Sequence, residues 1–129
     1  MENYYMDTEH EKRLTHLIRE DGTKSGDIER ISLFYIIAGN EGLYFKREAI
    51  YDFKEHGIRN CMKTDCEIFS SGLQLLIRLG FNLYNGYRDK NMTPLELFWN
   101  LDNKNRQIAQ NAIWLRFNFG TFNHFYVDI

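Results

Sequence analysis

The chain has 129 residues, 43% of them hydrophobic and 16% aromatic, with 26% charged and a formal net charge of −2. That length suits one hydrophobic core and leaves no room for a second domain, and the apolar share excludes disorder over most of the chain. The near-neutral balance argues against a protein whose main affinity comes from neutralising phosphates.

Thr8-Glu9-His10-Glu11 fits a capping box and predicts a first helix over about Thr8 to Glu20. Its stripe is Leu14, Leu17 and Ile18, with Arg13, His16 and Arg19 outside it. Asp21-Gly22-Thr23-Lys24-Ser25-Gly26 is a dense turn signal, and Ser25 is placed to cap the next helix. That helix, over about Asp27 to Ala38, is apolar nearly all round and therefore central; Gly39-Asn40 can end it through left-handed dihedrals. Between Glu41 and Cys66 the pattern has no clean period and suggests a short helix or two, with Lys54 to Cys66 as a loop. A helix is expected from about Ser71 to Tyr84, with Leu73, Leu76, Ile77, Gly80, Phe81 and Tyr84 on one side and Asn85-Gly86 as its stop. Thr93-Pro94-Leu95-Glu96 carries the cap, the first-position proline and the capping-box glutamate of a short helix to Asn100. Asp102 caps a last helix to about Asn118, buried through Ile108, Ala109, Ala112 and Leu115. The expected fold is an all-α, single-domain bundle of about five or six helices, with an aromatic C-terminal extension at residues 121–129 that should dock on the body or on a neighbouring subunit.

Charge and aromatic residues are unevenly spread. Through Glu67 there are 14 acidic and 10 basic residues, and from Ile68 onward 4 acidic and 6 basic, so the halves carry −4 and +2; the second half also holds 12 of the 20 aromatic residues. An anionic partner is therefore sought in the C-terminal half. No apolar run reaches the roughly 18 residues of a membrane span, and the N-terminus lacks a basic segment followed by an apolar one. Cys61 and Cys66 read as reduced thiols. A cytoplasmic protein away from the membrane is expected.

Few chemistries find support. Cys61-x4-Cys66 with His56 nearby lacks the second matched pair that structural zinc usually has, so no metal or cofactor is expected and the histidines read as solvated. Gly22-Thr23-Lys24-Ser25-Gly26 has the wrong spacing for a phosphate loop and follows a helix instead of a strand. Ser70, Ser71, Cys61 and Cys66 stand in no nucleophile motif, so no catalytic residue is assigned and the reading leans away from an enzyme. Polar residues set into apolar helices are more informative. Arg78, Asn82 and Asn85 recur on one stripe, and Gln107, Asn111 and Asn118 on another, with Arg116 at the edge of a buried face. Such groups read a peptide backbone, a base edge or a phosphate, or else belong to a solvated face or a buried network with Asp27 or Glu29. Tyr84, Tyr87, Trp99 and Trp114 are read as core more often than as anchors, although Trp and Tyr are enriched at interface centres. The candidate partner-binding residues are Arg78, Asn82, Asn111, Trp114, Arg116, Phe122, Phe125 and Tyr126.

Ser25-Gly26-Asp27, Arg30, Phe34-Tyr35-Ile36-Ile37-Ala38-Gly39-Asn40 and Arg78-Leu79-Gly80-Phe81-Asn82-Leu83-Tyr84-Asn85-Gly86 together resemble a small uncharacterised family of Gram-positive bacteria and their phages. The likeness runs from about Glu9 to Phe117, and the tail after Phe119 lies outside it. What the resemblance implies is a small helical accessory protein carried by a mobile element; it brings no catalytic residue. The expected function is a non-enzymatic protein-binding module, phage-related or an inhibitor of a host protein, with self-association as one form of partnering. The alternative is a nucleic-acid binder using the mildly basic C-terminal half.

Overall fold

Nine consecutive residues of one helix, Ile31 to Gly39, are buried, and the rest of the fold is arranged around that segment. The computed structural model describes residues 5–59, 61 and 66–118. In chain order these form α1 (Thr8–Asp21), α2 (Ile28–Gly39), α3 (Glu41–Phe45), a 3₁₀ turn at Arg47–Ala49, a two-stranded hairpin of β1 (Tyr51–Asp52) and β2 (Gly57–Ile58), a 3₁₀ turn at Cys66–Ile68, then α4 (Ser71–Asn85), α5 (Pro94–Trp99) and α6 (Asn103–Phe117). It is an all-α bundle of six helices among the described residues. α2 packs on α1, α4 and α6, which explains why it is apolar on every side from Ile31 onward.

The helix ends follow local side-chain chemistry, with three shifts from expectation. Asp7, one residue before Thr8, caps α1 by accepting from the His10 N–H. Asp27 caps α2, accepting from the Arg30 N–H, and Ser25 is left in the turn; a carboxylate there also meets the positive end of the helix. Gly39 lies inside α2 with no left-handed residue after it, since Asn40 is extended (φ −125°) and caps α3 through Leu43 N–H. A Cβ on Gly39 would sit 3.1 Å from Ile108 of α6, so this glycine permits a close crossing and does not end the helix. The other ends are as read: Gly22 (φ 70°) and Gly86 (φ 83°) terminate α1 and α4, Thr93 and Glu96 form both halves of a capping box, and Asp102 caps α6.

Part of the segment expected as helix or loop is a hairpin, with Tyr51 opposite Ile58 and Asp52 opposite Gly57. Asp52 Oδ1 accepts from the Lys54 and Glu55 amides, folding the four-residue turn, and His56 closes it in the left-handed region (φ 59°). Local turn chemistry prevails here because Ile50, Tyr51 and Phe53 favour extended backbone.

α4 crosses α2 closely enough that a Cβ on Gly80 would lie 2.8 Å from Leu33 Cδ1. Gly80→Ala is expected to destabilise by about 1–3 kcal/mol despite its better helix propensity, because fully buried Leu33 has little room to move. Leu33→Val in the same chain shortens the opposing side chain. Urea unfolding should therefore show the double variant losing less than the sum of the single losses; strictly additive losses would contradict the close crossing.

Candidate functional site

The five candidate binding residues that the structure describes lie at separate places in the bundle. Arg78 on α4 donates from Nε to Asp89 Oδ2 at 2.9 Å, so its acid lies in the α4–α5 connection and is neither Asp27 nor Glu29. Burial alone would raise the Asp89 carboxyl, but hydrogen bonds from the Asn91 amide, Arg78 and Tyr87 hold it below the usual carboxylate value. Asn82 donates to the Tyr87 carbonyl at 2.9 Å, and Arg116 donates to the Leu83 carbonyl at 2.9 Å while approaching Glu29. Asn111 accepts from Gln107 and donates to the Tyr35 hydroxyl at 3.1 Å. Asn82, Asn111 and Arg116 thus join elements of the bundle. Trp114 is 55% exposed on the outer face of α6, and Phe122, Phe125 and Tyr126 lie outside the described residues.

What the fold does assemble is a surface centred on α5. On one side of this six-residue helix a cleft of about 420 Å³ is lined by Gln74, Arg78, Asn91, Glu96 and Asn100. On the other, a cleft of about 320 Å³ is lined by Leu95, Phe98, Trp99, Arg106 and Gln110. Only Leu97 of α5 is buried, and Arg106 clamps the helix end by donating to the Phe98 and Trp99 carbonyls at 2.8 and 3.0 Å. Leu95 and Trp99 are consequently 68% and 72% exposed. Gln110 carries the second cleft along α6, where Trp114 is one turn on and Phe117 (74% exposed) three residues further. The reading of Trp99 and Trp114 as core is corrected: Ile108, Ala109, Ala112 and Leu115 fill the inner face of α6, and α5 is too short to bury more than one stripe. Between residues 68 and 118 there are 6 basic and 3 acidic side chains. Arg88, Lys90 and Lys104 have no ion pair among the described residues, which leaves this half able to attract an acidic partner.

A second cluster escaped the sequence reading. Asp21, at the end of α1, accepts from the Thr23 hydroxyl at 2.6 Å, the Tyr51 hydroxyl at 2.7 Å and His56 Nδ1 at 2.9 Å. Burial would raise this carboxyl, yet the hydrogen bonds from Thr23, His56 and Tyr51 outweigh it and hold the group below its ordinary value. Arg30 completes the cluster, donating to the Tyr51 hydroxyl, to Asp27 and to the His56 carbonyl. Residues 21, 30, 51 and 56 share no period or motif; Arg30 and His56 stood out singly, and nothing in the spacing joined them.

The histidines are not uniformly solvated. His10 is buried, its Nδ1 accepting from the Met6 N–H and its Nε2–H donating to the Tyr35 carbonyl, each at 2.9 Å. Desolvation, opposed in part by that carbonyl, pushes its pKa down to about 4. Among the described residues no three His, Cys, Asp or Glu side chains come together as a metal site. Cys61 is buried, and the Cys66 side chain is outside the described residues. No described helix is long and apolar enough to cross a membrane.

Fold and surface together define a small, mainly helical protein with an aromatic, amide-rimmed outer face and no assembled metal centre among the described residues. The family model that matches it, over residues 1–125, is a family of unknown function (DUF6075), and the chain belongs to that family. The match runs six residues past Phe119 and so takes in most of the tail that the resemblance left out. No curated protein and no solved structure matches the chain.

Proposed function

We propose that the protein is a non-enzymatic binding module that docks an acidic protein segment with an apolar anchor on the α5–α6 face. The observation that carries this reading is the exposure of Leu95 and Trp99 beside a cleft rimmed by Arg106 and Gln110, on a helix held by one buried leucine. Large apolar side chains held rigid and exposed next to polar groups are the usual composition of an interface centre. Arg78, in the polar cleft on the other side of α5, keeps its Nη groups for a carboxylate or a peptide carbonyl. Such a module fits an accessory factor or host-protein inhibitor of Gram-positive bacteria and their phages, acting in the cytoplasm.

Nucleic-acid binding is the second reading, favoured by Arg88, Lys90 and Lys104 standing without ion pairs among the described residues. The two separate cleanly. A partner isolated from the native host and titrated against Trp99→Ala should bind at least about 30-fold more weakly than to the wild-type chain, with thermal unfolding unchanged. Unchanged affinity for that variant overturns the protein-binding reading. Binding of nucleic acid that weakens steeply with salt and is lost in the triple alanine variant of Arg88, Lys90 and Lys104 would establish the second. Sedimentation of wild type and Trp99→Ala tells whether the occupant is a second copy of the chain.

A further inference from the structure

The Asp21 cluster faces a cleft of about 350 Å³ lined by Gly22, Thr23, Lys24, Asp27, Arg30 and His56, a volume within the range of small-molecule sites. Almost every polar valence around it is engaged. Both Asp21 oxygens accept hydrogen bonds, the Tyr51 hydroxyl both donates and accepts, and all three nitrogens of the Arg30 guanidinium have partners. Asp27 is neutralised by Arg30 at 2.7 Å.

Two groups are left over. His56 is 54% exposed and spends Nδ1 on Asp21, which is 3% exposed. A carboxylate only accepts, so Nδ1 carries the proton and, in the neutral ring, Nε2 presents a lone pair fixed in direction by the buried acid. The second is the Lys24 ammonium, exposed and without an ion pair among the described residues. The histidine also occupies a left-handed position (φ 59°) that glycine adopts more easily, so the backbone alone does not call for this side chain.

We propose that this cleft binds a small hydroxylated anion, a sugar phosphate or a hydroxy acid, whose hydroxyl donates to His56 Nε2 and whose charged group pairs with Lys24. The complement of one oriented acceptor and one cation is a ligand with one donor and one negative charge. Its size and its site differ from those of the α5–α6 surface, so the two readings stand or fall separately.

The test uses the full chain, glycerol 3-phosphate and glycolate as probes, and inorganic phosphate as the probe without a hydroxyl-bearing carbon. Imidazole nitrogen spectra should show His56 with the proton on Nδ1. Saturating shifts at His56 and Lys24 are expected with glycerol 3-phosphate or glycolate, at least fivefold tighter than with inorganic phosphate. His56→Gly suits the backbone and should stay folded while losing that preference; Lys24→Ala, on an exposed turn, should weaken all three probes. A proton on Nε2 in place of Nδ1, no saturable shift with either hydroxylated probe, or unchanged binding by Lys24→Ala would overturn the proposal.

Discussion

Replacing Asp21 with alanine is expected to lower the free energy of unfolding by about 3–5 kcal/mol, the cost of leaving buried, charge-linked donors without their acceptor. The carboxylate is the one point where the end of α1, the α1–α2 turn and the hairpin meet, through Thr23, Tyr51 and His56. Without it the Thr23 and Tyr51 hydroxyls are buried without this acceptor, and His56 Nδ1 loses its partner. Tyr51→Phe removes one donor and preserves shape, so its loss should be smaller, about 1–2 kcal/mol. Denaturant unfolding at neutral pH gives both numbers. A loss of under 1 kcal/mol for Asp21→Ala would mean that the hairpin is held by its ring contacts with Phe34 and its hydrogen bonds from Arg30.

Acidification from pH 6.5 to about 4 is expected to remove about 3 kcal/mol of stability through His10 alone. In the unfolded chain this imidazole takes its proton near pH 6.5; in the fold it stays neutral down to about 4, because burial desolvates the charged ring by more than the hydrogen bond to the Tyr35 carbonyl restores. Over that window the unfolded state binds more protons, so stability is full above pH 6.5 and falls as the pH is lowered. Asp21 and Asp89, held below the ordinary 3.8, contribute stability that is lost only as the pH falls further, so the windows separate. Stability of wild type and His10→Gln, measured across pH 7 to 4, checks this: the variant should lack the His10 contribution, and equal slopes would show that His10 is protonated in the fold.

The helices were legible because their signals are local. Thr93-Pro94-Leu95-Glu96 and Asp102 act within one turn of themselves, and Gly86 ends α4 by its own φ. The errors in capping at Asp7 and Asp27 are of one and two residues, where two side chains able to cap stand close together in the sequence. Gly39 was misread because its reason, Ile108, lies on another helix. Distance in sequence also hid the sites. Arg78 could be singled out, but its cleft needs Asn91 and Asn100, and no spacing rule joins Asp21 to His56, 35 positions on. The exposure of Trp99 and Trp114 depends on how much inner face α5 and α6 have already filled, which composition does not record.

The single buried leucine under α5 has an evolutionary consequence. Leu97, the Thr93–Glu96 capping pair and the Arg106 clamp hold the helix, and neither the Leu95 nor the Trp99 side chain takes part in holding it. The residues that hold α5 are therefore different from those it displays. Leu95 and Trp99 can change identity without disturbing the core, so a docking face of the kind proposed would change its target by substitutions at two or three outward positions while the scaffold stayed the same.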